Sequence, residues 1–377
     1  MRPGRVFGLY SLKGSLMKKL MMAAAASCLS AGAFAQSSVT IYGSLDAGVA
    51  YINNLNGGSV SRLDQGTMQP DRIGFRGTED LGGNLKAIFQ LEAGFYTDSG
   101  ATPNSSKLFN RYSTIGLSGD FGAVTLGHMP DVVFDYVGKL SNGFQLTNWY
   151  LFHPGNLDSL ANTYQFDNAV RYTSPTLGGF QGSLMYGFGE VAGDSSNGRN
   201  VSAGGTYTNG PFRAALAYSK LNNRAAGFAG TFLTSVGLGN AATVFNSLTT
   251  TAGGLGYTIG NVRLNTAYTQ VKLALPSGAT PKQKNLDLGA AWRYATLDTI
   301  NVGYGLSKLE GARWNTFSLS HVHEFSKRTQ WYVQAAYQRA GGDARFAVMN
   351  GTGASGATGV SGGQGQLVTT IGMHHSF

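Results

Sequence analysis

The chain has 377 residues, of which 12% are charged, 42% hydrophobic and 11% aromatic, with 55 glycines, 9 prolines and a single cysteine. Length alone would give two or three soluble domains, but 18 tyrosines, 21 phenylalanines and so much glycine argue for one large sheet structure with many turns. The formal charge of +9 also falls away: the first 35 residues hold five bases and no acid, which leaves 23 basic against 19 acidic residues and no basic run of the nucleic-acid type.

Residues 1–35 read as a secretory signal peptide. Lys18 and Lys19 precede an apolar run from Leu20 to Leu29, and Ala33-Phe34-Ala35 supplies small residues for cleavage. Met17 reads as the natural start, with 17–35 the functional part and Met1 to Leu16 either an upstream extension of the reading frame or a long n-region. Export would then deliver a single domain over 36–377. Cys28 lies inside the leader, so the exported chain would have no thiol, disulfide or cysteine-based metal site.

No later stretch approaches eighteen consecutive apolar residues, so a membrane could be crossed only by a closed barrel of strands of about 9 to 11 residues. The expected sign is alternation, and it starts at once. Val39, Ile41, Leu45, Ala47, Val49 and Tyr51 share one face while Thr40, Tyr42, Ser44 and Asp46 share the other. Arg72 to Gly77 sets Ile73 and Phe75 against Arg72 and Arg76. Leu85, Ala87, Phe89, Leu91, Ala93 and Phe95 oppose Lys86, Gln90 and Glu92.

Further strands are expected at 108–118, 121–128, 168–174, 179–188, 200–208, 211–221, 253–259, 262–273, 285–294, 299–308, 314–323, 328–339 and 366–377, giving sixteen in all. Their connections alternate between short turns such as EDLGG and TNGP and longer loops rich in Gly, Asn, Ser and Thr. That alternation of lengths marks an all-β transmembrane antiparallel barrel rather than a sandwich or β-helix. About sixteen strands leave a lumen too wide for side chains to fill.

One segment breaks the pattern. Residues 130–167, after the fifth strand, form nearly forty positions without alternation, far beyond a hairpin loop of roughly two to five residues. The segment carries Asp131, Asp135, Asp158 and Asp167 against Lys139 alone. Folded inward, it would set acids opposite a basic wall of Arg72, Arg76, Lys86, Arg111 and Arg171, a field that orients polar solutes. The alternative is an external surface loop.

SSVTIYGSLDAG, RIGFRGTEDLGGNLKAIFQLEAGF, NRYSTIGLSGDFGAVTLG, NAVRYTSP and FSKRT resemble the general diffusion porins of the beta-proteobacterial type over most of the mature chain. The resemblance implies a sixteen-stranded homotrimer in the outer membrane of a Gram-negative cell, surrounded by lipid and lipopolysaccharide. It also implies a third extracellular loop folded into the pore and constriction arginines at Arg72, Arg111 and Arg171. Parity supports Arg171, between Val170 and Tyr172, and Arg72; Arg111 falls with Ile115 and Leu117, so it needs a bulge or a pore-mouth position. The segment lacks a Pro-Glu-Phe-Gly tip and the chain ends GMHHSF rather than GLRHRF, which leaves open which aspartate faces the arginines.

The last strand puts Leu367, Thr369, Ile371, Met373, His375 and Phe377 on one face. It must pair with the first to remove both sheet edges, and the resemblance implies that Phe377 is read by the barrel-assembly machinery. The expected function is passive diffusion of small hydrophilic solutes and ions with mild anion preference; an anion- or organic-acid-specific channel and a structural or adhesive barrel are the alternatives. No enzyme set, cofactor or nucleic-acid partner is expected. Gly351, Gly353 and Gly356 satisfy G-x-G-x-x-G without the strand and helix that dinucleotide binding requires, and His321, His323, His374 and His375 show no nearby carboxylate or Cys in the sequence that would make a metal site.

Overall fold

The computed structural model describes residues 38–353 and 358–377; the expected leader, Met17, Cys28 and Gly356 lie outside the described residues. Seventeen segments form one antiparallel sheet. They are β1 (Ser38–Leu55), β2 (Gly58–Gln65), β3 (Arg72–Gly82), β4 (Leu85–Gly94), β5 (Tyr112–Gly119), β6 (Gly122–Pro130), β7 (Gln165–Thr173), β8 (Phe180–Gly187), β9 (Asn200–Asn209), β10 (Phe212–Ala225), β11 (Val244–Ile259), β12 (Val262–Ala274), β13 (Lys282–Arg293), β14 (Asp298–Leu309), β15 (Ala312–Glu324), β16 (Thr329–Gly342) and β19 (Gly365–Ser376). A two-residue pair, β17 (Val348–Met349) and β18 (Gly359–Val360), stands apart from the sheet.

β2 and β3 lie end to end. β1 pairs with β3 from Ser38 to Ser44 and with β2 from Ala47 onward, so the two share one position and the closed barrel has sixteen strands. Strand β2 was absent from the sequence pattern because its partner position is interrupted at residues 66–71. That interruption folds back onto β1: Thr67 N and Tyr332 Oη donate to the Asp46 carboxylate at 3.0 and 2.8 Å, and Asp46 N donates to Asp71 at 2.6 Å.

Alternation sorts the two faces as a barrel in a membrane requires. On β1, Val39 and Ile41 are more than 60% exposed to the outside, whereas Ser44, Asp46, Ala50 and Ile52 are buried against the interior. Closure comes from β19 against β1, paired over Ser44↔Ser376 to Ile52↔Val368. It extends one residue further, where Gly43 and Phe377 exchange two backbone hydrogen bonds of 3.1 Å. A Cβ on Gly43 would lie 2.2 Å from the Phe377 ring and 2.6 Å from the Arg72 carbonyl oxygen, so glycine is needed where ring and wall meet.

Unlike a solvent-filled tube, this barrel has an apolar core inside it. Three loops fold inward and pack together: residues 131–164, residues 226–243, and the described parts of 343–364. The first carries α1 (Val132–Tyr136) and α2 (Asn142–Gln145), and the second α3 (Gly230–Ser235). Val132, Val133, Leu157 and Leu160 from the first loop join Phe232 and Leu233 from the second and Val348 from the third. Burying each such side chain contributes about 1.5–3 kcal/mol. Arg62 of β2 clamps the third loop, donating to the carbonyls of Gly351, Thr352 and Gly353 at 2.8, 3.1 and 2.9 Å.

Deleting Phe377 removes its two backbone hydrogen bonds and the ring over Gly43, and with them the end of the closing seam. The yield of heat-modifiable, folded barrel should fall; a deletion protein that folds in normal yield, read by electrophoretic mobility before and after boiling, would contradict this role.

Candidate functional site

The inward loop begins where Asp131 caps α1. Its Oδ1 accepts from Val133 N at 3.1 Å and from the hydroxyl of Ser202 on β9, and burial pushes its carboxyl up. α1 then lays Val132, Val133 and Tyr136 against β9 and β10. The wall makes room for them: a Cβ at Gly204 would come within 2.9 Å of Val132 Cγ1. Tyr136 Oη shares a 2.7 Å hydrogen bond with Ser183 of β8.

The middle of the loop is held by amides and one carboxylate. Asn142 N donates to Asp287 Oδ2 of β13 at 2.9 Å, and Asn142 Nδ2 donates to the carbonyls of Leu288 and Tyr304. Asn265 of β12 donates to the Leu140 carbonyl and to Asn142 Oδ1. Gly289 again leaves the space, since its Cβ would fall 2.4 Å from Asn142 Oδ1.

The far end is fastened by charge. His153 Nδ1 lies 2.5 Å from Asp158 Oδ2, and His153 Nε2 lies 3.1 Å from Asp287 Oδ1. Asp158 accepts in addition from Thr269 of β12 and Asn285 of β13. All three charged groups are at most 3% exposed. Burial by itself would pull the His153 imidazole down, but the charges of Asp158 and Asp287 and its hydrogen bonds to both push it up to about 10. Both ring nitrogens therefore donate.

The opposite wall is built from β1 and β3 to β5. Arg111 Nε pairs with Glu92 Oε1 at 2.5 Å, Tyr42 Oη donates to Glu92 Oε2 at 2.8 Å, and the Arg76 guanidinium lies 5.2 Å over the Tyr42 ring. Arg72 stands across from Ser44 on the inner face. Among the described residues, no carboxylate lies within ion-pair distance of Arg72 or Arg76. Arg111 escapes the parity conflict because it precedes β5, whose first residue is Tyr112, so strand alternation does not govern it.

Against this geometry, the profile of the Gram-negative porins matches residues 22–343. The chain belongs to that family. It is 31% identical over 381 residues to outer membrane porin protein 32 of Delftia acidovorans, covering 96% of this chain and 100% of that one. To an outer membrane porin protein of Bordetella pertussis it is 30% identical over 384 residues, covering 86% and 94%. Among solved structures, the anion-selective porin from Comamonas acidovorans superposes with a TM-score of 0.74 at 27% identity, over 91% of this chain and 100% of that one. The porin is a diffusion channel of the Gram-negative outer membrane, not an enzyme.

The remaining residues singled out in the sequence fall in three places in this porin. Arg171 of β7 is drawn to the loop and pairs with Asp135, which Lys139 also approaches at 3.9 Å. Asp167 lies in β7 and takes Lys107 and His128 at 2.6 Å each. Lys86 faces the lumen six residues along β4 from Glu92, about 20 Å toward the short turns, and so lies well away from the loop. His321 and His323 do have a carboxylate companion, contrary to the sequence reading: Asp298 lies 3.1 and 2.8 Å from them. The cross-strand pair Asp298↔His323 joins residues 25 positions apart, a contact invisible in the sequence. Both imidazoles sit among Tyr294, Trp331 and Phe325, an aromatic belt on the outer surface.

Sequence reasoning missed Asp287 and His153, whose meeting across 134 positions leaves no local pattern. It also missed Arg213, Arg263 and Arg293, although parity reveals them: each alternates with apolar residues, as Arg263 does between Val262 and Leu264. Arg263 donates to the Gln145 carbonyl under the loop, and Arg293 pairs with Glu324 at 2.7 Å.

The raised imidazole predicts a pH dependence. His153 contributes its full stabilisation below about pH 6.5, the ordinary imidazole value, and loses it as pH rises toward 10. Single-channel current noise should therefore grow over that interval, while His153→Gln should be noisy throughout and flat. Removing the imidazole leaves two facing carboxylates, a loss of about 3–5 kcal/mol. Equal, pH-independent noise in both proteins would contradict the assignment.

Proposed function

We propose that residues 36–377 form a single porin unit that passes small hydrophilic solutes and ions through a slot between the inward loop and the wall of β1 and β3 to β5, with mild preference for anions. The observation that carries this reading is an imbalance of free charge. Asp131 and Asp158 are engaged in seating the loop, and Asp135 and Asp167 in pairing with Arg171, Lys107 and His128. Across the slot, Arg72 and Arg76 keep their charge unpaired by any carboxylate among the described residues, and Arg111 shares only Glu92. A net positive lining raises the local concentration of anions. The anion selectivity named for the Comamonas porin agrees with it.

The same reading takes the protein as a homotrimer in outer-membrane lipid and lipopolysaccharide, because a wall of outward apolar residues meets either lipid or a copy of itself. It takes residues 1–35 as a cleaved export signal and the strand ending at Phe377 as the segment the barrel-assembly machinery reads.

Reversal potentials of the purified protein in a salt gradient test the central point. Wild type should prefer chloride over potassium, and Arg72→Gln with Arg76→Gln should shift the reversal potential toward the cation value. Cation selectivity in wild type, or no shift in the double variant, would overturn it.

A further inference from the structure

Above the inward loop, on the side of the long connections, lies a partly enclosed cavity of about 520 Å³. Its walls combine aromatic side chains, Phe95, Tyr96, Trp149 and Tyr164, with the cations Arg111 and Arg224. Arg224 is the unusual member. It belongs to β10, where strict alternation would place it on the outer face with Leu216 and Tyr218, which are 72% and 42% exposed. The preceding residue, Asn223, adopts a left-handed backbone with φ of 50°, a conformation asparagine tolerates. The break reverses the facing of the next residue, as bulges do when they re-aim a side chain. The Arg224 guanidinium consequently enters the vestibule, where it lies 5.8 Å over the Tyr164 ring and donates Nη2 to the Gln165 carbonyl at 3.0 Å.

This cation has been positioned without being neutralised. Lys107 and His128, which line the same cavity, share Asp167, and Arg111 shares Glu92. Among the described residues no carboxylate pairs with Arg224. The single acid in the lining, Asp71, is buried and accepts from the backbone of Asp46 and Thr97. Tyr164 is itself fixed, 2% exposed with its hydroxyl donating to the Ala226 carbonyl. A guanidinium over that ring, with one Nη2 hydrogen given to the Gln165 carbonyl and Nε and Nη1 without a partner among the described residues, keeps a fork of its second Nη2 hydrogen and one of those groups for a carboxylate. The aromatic residues that line the same cavity would receive an apolar or aromatic body attached to that carboxylate.

We infer that the vestibule is a capture site for aromatic monocarboxylates, with Arg224 binding the carboxylate and the Trp149 and Phe95 wall receiving the ring. This rests on the diffusion-pore reading, and adds to it a binding station upstream of the slot. Occupancy there obstructs the path of chloride, so a bound acid reduces the current carried by the inorganic ion.

The test uses the purified protein in planar bilayers, with benzoate as probe and acetate as the control that lacks the ring. Chloride current is titrated with each acid, and half-block concentrations are normalised to each variant's own current. Wild type should be blocked by benzoate at a concentration at least several-fold below acetate. Arg224→Gln should raise the benzoate half-block by about tenfold or more, the loss expected for a charge-assisted hydrogen-bond pair. Arg224→Lys, which keeps the charge but loses the planar fork, should fall between the two. Retention of heat-modifiable mobility confirms that each variant folds. Equal block by acetate and benzoate overturns the aromatic specificity, and unchanged benzoate block in Arg224→Gln overturns the site. The salt-gradient reversal potential of wild type, measured in the same bilayers, separates either failure from a failure of the anion-preferring pore itself.

Discussion

The interior of the barrel depends on how residues 131–164 are fastened to its wall. A loop brought into a lumen must satisfy its backbone and its charges there, or bear the penalty of leaving them unpaired. Here the fastening is the Asp158–His153–Asp287 bridge at one end, the Asp131 cap on Ser202 at the other, and Asn142 among the carbonyls of β13 and β14 between them. A buried ion pair of this kind need not add stability over an apolar replacement. What it adds is position, because an imidazolium between two carboxylates on different elements fixes where the loop lies.

The second consequence is asymmetry. The loops 131–164 and 226–243 and the described parts of 343–364 pack along β8 to β16 and onto β19, β2 and the Ile52 end of β1, and their apolar side chains give the barrel an internal core. The half lined by β1 and β3 to β5 is left to Tyr42, Arg72, Arg76, Gln90, Glu92 and Arg111, a hydrogen-bonded polar wall. The acids of the loop serve its seat or pair with Arg171, while Arg72 and Arg76 have no carboxylate partner among the described residues. The proposed anion preference accordingly rests on the wall opposite rather than on the loop.

Much of this is legible in the amino-acid sequence. Period-two alternation locates the barrel strands, because water on one face and lipid on the other leave the backbone no other pattern, and the missing alternation of 130–167 marks the loop that turns inward. The same logic fails where the backbone departs from regular pleating. β2 escapes it because residues 66–71 interrupt its barrel position, the first half of β11 because inward Thr250 and outward Thr249 and Thr251 look alike, and Arg224 because Asn223 reverses its facing. The partners of the loop aspartates are also hidden, since contacts such as His153 with Asp287 join positions far apart in sequence. Charge counting shows that the loop is acidic. It does not show that the acids are already engaged.

If the loop is seated against β13 and stays there while the channel conducts, a covalent link across the seat should leave transport unchanged. The described chain contains no cysteine, and the Cβ of residue 289 would sit 2.4 Å from Asn142 Oδ1, so Asn142→Cys with Gly289→Cys should form a disulfide there. Single-channel conductance of the oxidised protein should equal that of the same protein after reduction. A pair that will not oxidise, or a conductance that changes when the bond is reduced, would contradict a loop fixed in this position.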